Sequence, residues 1–93
     1  MDREVIRSAA FIRSVRRHLK KHPHAADELK ATLLLLSEDA FDPRLKTHKL
    51  KGDLDGVRAC SAGYDLRILF ELVPHYGMEA ILLLTMGTHD EVY

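Results

Sequence analysis

Six histidines occur in the 93 residues, and two of them, His48 and His89, have neighbours that suit proton transfer. Three lysines surround His48, at positions 46, 49 and 51, and nearby cations disfavour the imidazolium form, which leaves the ring able to accept a proton. His89 is followed by Asp90 and Glu91, whose carboxylates favour the protonated form that can donate. This pattern predicts one general base and one general acid, although the two roles could be exchanged.

The other four histidines are less suited to chemistry. His18 belongs to a basic helix, His22 and His24 flank a proline, and His75 falls in a predicted turn. A His-Pro-His spacing could hold a metal in principle, but no Cys or His partner follows at the distance typical of a zinc finger. The sequence therefore predicts no metal site and no cofactor.

A third chemical group comes from the alternating segment between Asp65 and Leu72. Its apolar residues point one way, so Asp65 and Arg67 are expected together on the opposite face of a strand. An arginine there needs solvent, a carboxylate such as Asp65, or a negatively charged ligand, because its charge is costly to desolvate. The forked guanidinium suits a phosphate. The alternative is a plain cross-sheet ion pair, worth about 0–1 kcal/mol when exposed.

The elements that position these residues are predicted from periodicity. Two helices joined by a short loop are expected, because apolar residues recur at helical spacing and His22-Pro23-His24 interrupts them. The second half changes to strand-like alternation around Gly63 and Gly77. We expect two N-terminal helices packed on one face of a mostly antiparallel sheet of about four strands, an α+β fold forming one domain over residues 1–93. The predicted helices are Ala10–Lys21 and Ala25–Ser37, and the predicted strands are Arg3–Ser8, Val57–Ala62, Tyr64–Val73 and Glu79–Met86.

The net charge of zero does not by itself exclude a protein that binds nucleic acid. Basic and acidic residues number 14 each, which argues against a uniformly basic nucleic-acid coat. The zero hides a gradient, however, since residues 1–58 carry a net charge of +4 and residues 59–93 one of −4. Such bunched charge can still form a phosphate-binding face. A lone cysteine, no readable signal peptide and apolar runs too short for a bilayer predict a soluble cytoplasmic protein without membrane contact.

Four short motifs carry a family resemblance. They are His48-Lys49-Leu50-Lys51-Gly52, Gly56-Val57-Arg58, Asp65-Leu66-Arg67-Ile68 and the closing Gly87-Thr88-His89-Asp90-Glu91-Val92-Tyr93. In this order and spacing they resemble the RelE/StbE superfamily of bacterial toxins, and most of all its YafQ-like branch. The likeness covers nearly the whole chain in length and element order, and its specific part is the second half.

The resemblance implies a RelE-like fold and a type II toxin that inhibits translation. Such a toxin would be an endoribonuclease that cleaves mRNA in the ribosomal A site without a metal. Its implied partners are a cognate antitoxin protein, the mRNA and ribosomal RNA. Two other readings remain open: a ParE-like toxin that inhibits DNA gyrase, and a catalytically inactive member that binds only its antitoxin.

Site residues follow from the matching motifs. His48, Asp65, Arg67, His89 and Tyr93 match family positions, and the resemblance implies that they are catalytic. We expect His89 to act as acid, and His48 with Asp65 to act as base and orienting partner. A family histidine is replaced by Ser61, which belongs to the expected RNA-binding set. The remaining members of that set are Lys46, Lys49, Lys51 and Arg58.

Overall fold

A computed structural model describes residues 2–52 and 56–93 of the chain. Within these residues the chain forms eight main elements, and two short 3-10 turns at Pro23–Ala25 and Pro43–Leu45 join some of them. The main elements are β1 (Val5–Arg7), α1 (Ala9–Lys21), α2 (Ala26–Glu38), β2 (His48–Lys49), β3 (Arg58–Ser61), β4 (Leu66–His75), β5 (Met78–Thr88) and α3 (His89–Val92). No helix within this part of the chain is long and apolar enough to cross a membrane.

The two long helices begin and end within one residue of the prediction. Ser8 caps α1, where its Oγ accepts the Phe11 N–H at 3.0 Å. Asp27 and Glu28 lie in the first turn of α2, where acidic groups complement the helix dipole. Both helices bury one stripe against the sheet, and the basic residues of α1 cover its outer side.

The sheet confirms the α+β prediction but has five strands rather than about four. Its order is β1-β5-β4-β3-β2, with β1 parallel to β5 and every other pair antiparallel. The strand missing from the prediction is β2, whose two residues are too short to show alternation. The short helix α3 is also missing from the prediction.

The two faces of the sheet differ in their partners. The alternation in β4 is confirmed, because Leu66, Ile68 and Phe70 lie in the main core beneath α1 and α2. The opposite side, called here the open face, carries a smaller apolar cluster of Val57, Ala59 and Leu69. Partly buried Leu50, Leu84 and Val92 pack against that cluster. The open face is therefore covered by short segments rather than by a long helix.

A β-bulge in β5 sets which residues reach each face. Leu69 pairs with Thr85 and Phe70 with Leu83, so Leu84 is an extra residue in the ladder. The bulge is held from α1, because Ser8 Oγ donates to the Leu84 carbonyl at 3.1 Å. Since one extra residue reverses the alternation, Leu83 and Met86 both reach the main core. Gly87 is thereby opposite Arg67 on the open face.

Ser14 ties α1 to β5 through a buried hydrogen-bond relay. Its hydroxyl donates to the Phe11 carbonyl at 2.7 Å and accepts the Met86 N–H at 3.1 Å. Replacing it with alanine leaves that buried N–H without a partner. We expect Ser14→Ala to lower the free energy of unfolding by about 1–3 kcal/mol, measured by urea denaturation. The matched control is Ser37→Ala, whose exposed hydroxyl bonds only to the Leu34 carbonyl of its own helix. Equal losses in both variants would contradict this role for Ser14.

Candidate nucleic-acid cleavage site

The chain forms its candidate site by folding the last residues back onto the sheet. Thr88, the last residue of β5, is the N-cap of α3, and its N–H donates to Glu91 Oε1 at 2.7 Å in a capping box. The hydrogen bonds from Thr88, followed by the charges of Arg17 and Lys21, hold the pKa of Glu91 below its ordinary value. The side chain of Val92 packs against the open-face cluster. These contacts fix the short helix that carries His89 and leads to Tyr93.

Gly87 is the residue that lets α3 approach the sheet. A Cβ at this position would lie 3.0 Å from Glu91 Cβ, 3.0 Å from Glu91 Oε1 and 3.3 Å from Val92 Cγ1. Its backbone does not require glycine, since no positive φ occurs here. The glycine is needed for space, so any larger residue must push α3 outward.

Three of the predicted catalytic side chains, those of His48, His89 and Tyr93, lie together. The ring of Tyr93 packs edge-on against His89, with centroids 4.6 Å apart, and its Oη lies 3.5 Å from His48 Nε2. Tyr93 remains 44% exposed, so a ligand can reach the ring. Burial raises the pKa of the Tyr93 hydroxyl, and the nearby Arg67 lowers it in part. The hydroxyl therefore stays protonated at neutral pH and is able to donate.

Backbone geometry selects the tautomer of His48. Its Nδ1 lies 3.1 Å from the Lys46 carbonyl, which can only accept, so Nδ1 carries the hydrogen. In the neutral ring Nε2 then has a free lone pair, directed toward Tyr93 and the exposed site. This is the arrangement that a general base requires. Lys46 itself adopts the left-handed conformation, with φ of 53°, and in this conformation its carbonyl faces His48 Nδ1.

The two acidic residues that follow His89 in the sequence differ in their positions. Asp90 Oδ1 lies 3.6 Å from His89 Nδ1 in an exposed pair. Glu91, the other predicted neighbour, turns back to Thr88 instead. One of the two predicted carboxylates, rather than both, therefore lies beside the His89 ring.

Arg67 lies at the centre of the open face. It pairs with Ser61 on one side and Gly87 on the other, so these three positions share one face. Its Nη1 donates to the carbonyls of Leu66 at 3.2 Å and Tyr64 at 3.4 Å. Among residues 2–52 and 56–93 no carboxylate lies within ion-pair distance of this guanidinium. Its other nitrogens are therefore able to hold a phosphate.

Asp65 lies elsewhere, in contrast to its expected place beside Arg67 and His48. It is exposed in the bend that precedes β4 and lines a cleft with His18, His22 and His24. The alternation that predicts its direction applies only within the strand, which begins at Leu66. No hydrogen bond or ion pair within the described residues joins Asp65 to His48.

The predicted RNA-binding cations divide between the two sides of the sheet. Lys46 and Lys51 are exposed on either side of β2. Arg58 pairs with Phe70 and Lys49 with Arg58, so both point to the helix side. There the Arg58 guanidinium lies 5.6 Å above the Phe41 ring. Only some of the predicted cations therefore surround His48.

Sequence reasoning named Gly87 and Glu91 within the closing motif but missed the contacts by which they hold α3. A signal for Glu91 was present, since Thr88-x-x-Glu91 is a capping-box pattern that marks a helix start. The space requirement at Gly87 has no comparable signal. Within the described ranges no group of three His, Cys, Asp or Glu residues is arranged to bind a metal.

Several solved structures share this small α+β fold. The chain is similar to the crystal structure of YafQ from E. coli, at 19% identity, with 98% of each chain covered and a TM-score of 0.78. It is also similar to a chain of the E. coli DinJ-YafQ toxin-antitoxin complex, at 20% identity, 100% and 99% coverage and a TM-score of 0.77. A YoeB/ParE toxin from Agrobacterium tumefaciens matches at 10% identity, 92% and 98% coverage and a TM-score of 0.75. At these identities the likenesses establish the fold.

A family model establishes the family. The model described as the bacterial toxin of type II toxin-antitoxin system, YafQ, matches residues 3–93, so this chain belongs to the YafQ family of type II toxins. A search of curated proteins found no match.

Gly87→Ala tests how α3 is held. We expect the added methyl group to displace Glu91 and Val92, detach the short helix and expose the chain end. Carboxypeptidase should then release Tyr93 at least about tenfold faster than from the wild type, because a docked end is cleaved only after local opening. The control Gly77→Ala places a methyl group in open space in the hairpin turn, where the φ of 78° makes alanine strained but α3 is not touched. It therefore controls for a general loss of stability. Equal release of Tyr93 from all three proteins would show that α3 does not depend on Gly87.

Cys60 is expected to be chemically inert. It is fully buried in the main core, and burial raises the pKa of its thiol to about 12, despite the nearby Arg67. At pH 8 only about one thiol in ten thousand is ionised at such a pKa, and the thiolate is the reactive form. An aromatic disulfide reagent should label Cys60 only at the rate of unfolding. Labelling within minutes in native buffer would contradict the assignment of Cys60 to the core.

Proposed function

We propose that this toxin is an endoribonuclease that cleaves mRNA on the ribosome and thereby inhibits translation. The observation that carries the proposal is the meeting of His48 Nε2, the Tyr93 hydroxyl, the His89 ring and the Arg67 guanidinium on one exposed surface. RNA cleavage by an internal nucleophile uses a base, an acid and a cation, and an aromatic ring can hold a base by stacking.

The proposed reaction begins at the ribose. His48 Nε2 accepts the proton of the 2′-hydroxyl, whose oxygen attacks the adjacent phosphorus. The bond from phosphorus to the 5′-oxygen breaks, and protonated His89 supplies the proton that this oxygen needs. The products are a 2′,3′-cyclic phosphate and a free 5′-hydroxyl. Each proton transfer typically contributes about 10²–10⁴-fold to the rate.

Arg67 and Tyr93 have supporting roles in this mechanism. Arg67 presents its unused nitrogens to the non-bridging oxygens, where negative charge increases in the transition state. The Tyr93 ring offers a stacking surface for a base, a contact worth roughly 1–3 kcal/mol. Its hydroxyl also keeps the His48 ring oriented in the free protein. Asp65 has no part in these proton transfers.

The net charge of the chain supports the proposed dependence on the ribosome. A chain of zero net charge neutralises few phosphates, so its non-specific hold on free RNA is weak. The ribosome would increase the affinity of the toxin for mRNA, because it holds the mRNA in place and its ribosomal RNA makes additional contacts with the toxin. We further propose that a cognate antitoxin protein binds this toxin in the cytoplasm, in line with the complex known for the E. coli relative.

Mapping the 5′ ends of transcripts shortly after induction tests the nuclease proposal. We expect new 5′-hydroxyl ends within translated regions, and none when translation is blocked beforehand. His48→Ala and His89→Ala should each reduce cleavage by about 10²-fold or more. The matched control is His75→Ala, which removes a histidine paired only with Glu4 and far from the site.

Three outcomes would contradict the proposal. DNA breaks without mRNA cleavage would indicate a gyrase inhibitor, and the absence of any phenotype on induction would indicate an inactive antitoxin-binding member. Full cleavage by both the His48 and His89 variants would remove the proposed site.

A further inference from the structure

A second feature lies behind α3, on the side away from His48. It is a cleft of about 240 Å³ between the last turns of α1 and the start of α3. One wall comes from α1 and the other from the end of β5 and from α3. The residues that matter for its chemistry are Arg17, His18, Lys21, His22, Thr88 and Glu91.

The α1 wall of this cleft is cationic, and its Arg17 and Lys21 are close enough to help lower the pKa of Glu91 on the opposite wall. No carboxylate of the described residues lies within ion-pair distance of Arg17 or Lys21. Two imidazoles stand beside them, with the rings of His18 and His22 4.8 Å apart. Burial, and next the neighbouring His22, lower the pKa of His18, while the carboxylate of Glu91 opposes this shift in part. An arriving anion would favour protonation of His18 further.

The acidic group in the cleft is already engaged. Glu91 accepts the Thr88 N–H at 2.7 Å, and this hydrogen bond defines the start of α3. Its carboxylate is therefore held against the α3 wall. Four nitrogen-bearing side chains across the cleft are left to face solvent, which is the composition of an anion site.

The cleft also has a defined position relative to the catalytic groups. Thr88 forms part of its wall, and the next residue is His89. On its other side the cleft continues into a cavity that shares His18, His22 and Thr88 but also contains Glu28 and Asp65. The cationic region thus lies next to α3 and ends where these carboxylates begin.

We propose that this cleft binds a backbone phosphate of single-stranded RNA, beside the nucleotide that the site cleaves. The inference rests on the proposed nuclease function and extends it to a flanking subsite. The general alternative is that the basic residues only complement the C-terminal dipole of α1. In that case removing two charges from any side of α1 would affect oligonucleotide binding equally. Variants with charges removed from different sides of the helix distinguish the two cases.

The test is an NMR titration of the ¹⁵N-labelled full chain with a DNA hexanucleotide, which cannot be cleaved because it lacks the 2′-hydroxyl. We expect amide shifts at residues 17–22 and 87–89, and saturation at low salt. The double variant R17Q/K21Q should weaken binding at least about tenfold, because log affinity falls with the number of neutralised phosphates. The matched control R13Q/K20Q removes the same charge from exposed positions of α1 that do not line the cleft, and should weaken binding less than about threefold.

Each alternative gives a distinct result. Equal weakening by both double variants would overturn the subsite and favour a general charge effect. Shifts with inorganic phosphate but not with the hexanucleotide would limit the cleft to small anions and also overturn it. Loss of antitoxin binding in R17Q/K21Q with unchanged hexanucleotide binding would identify a protein-docking surface instead. Because DNA binding needs no catalysis, a failed cleavage assay and a failed titration are independent outcomes.

Discussion

The close packing of α3 against Gly87 is the constraint on which the candidate site depends. Without a side chain at this position, Glu91 and Val92 can approach the sheet, and the Thr88–Glu91 hydrogen bond then closes the first turn. His89 and Tyr93 are positioned only through this contact, since a four-residue helix has little stability of its own. The bulge at Leu84 is the second requirement, because it places Gly87 opposite Arg67 on the open face.

The two faces of the sheet have different roles: one face forms the main core, and the other carries the candidate catalytic residues. Its helix-covered side holds the large apolar residues and the Ser14 relay, whereas its open side holds a small apolar cluster beside the charged and aromatic groups. The catalytic candidates can therefore remain exposed without weakening the main core. The charge gradient follows a similar division, because most of the cations lie on α1 and around β2, while the acidic residues of α3 stabilise the short helix.

Periodicity in the sequence was enough to predict the helices and the direction of β4. It could not reveal β2, since two residues show no alternation, or the clearance at Gly87, which depends on a distant contact. Asp65 was assigned to the face of Arg67 by an alternation that begins one residue later, at Leu66. Arg58 was grouped with the site cations, although pairing with Phe70 turns it toward the helices. The motifs that contain His48, Arg67, His89 and Tyr93 reach the same end of the sheet. For this reason the four residues that were predicted as one set also lie near one another in the structure.

The most direct test of this account is a set of NMR distance restraints within the free, wild-type protein. If α3 docks as described, nuclear Overhauser effects should connect the Tyr93 ring to both His48 and His89, which lie 6.4 and 4.6 Å away between ring centroids. The Val92 methyl groups should likewise contact Leu69 and its neighbours in the open-face cluster. Random-coil shifts for residues 88–93, with no such contacts, would contradict the claim that α3 assembles the site before any ligand binds.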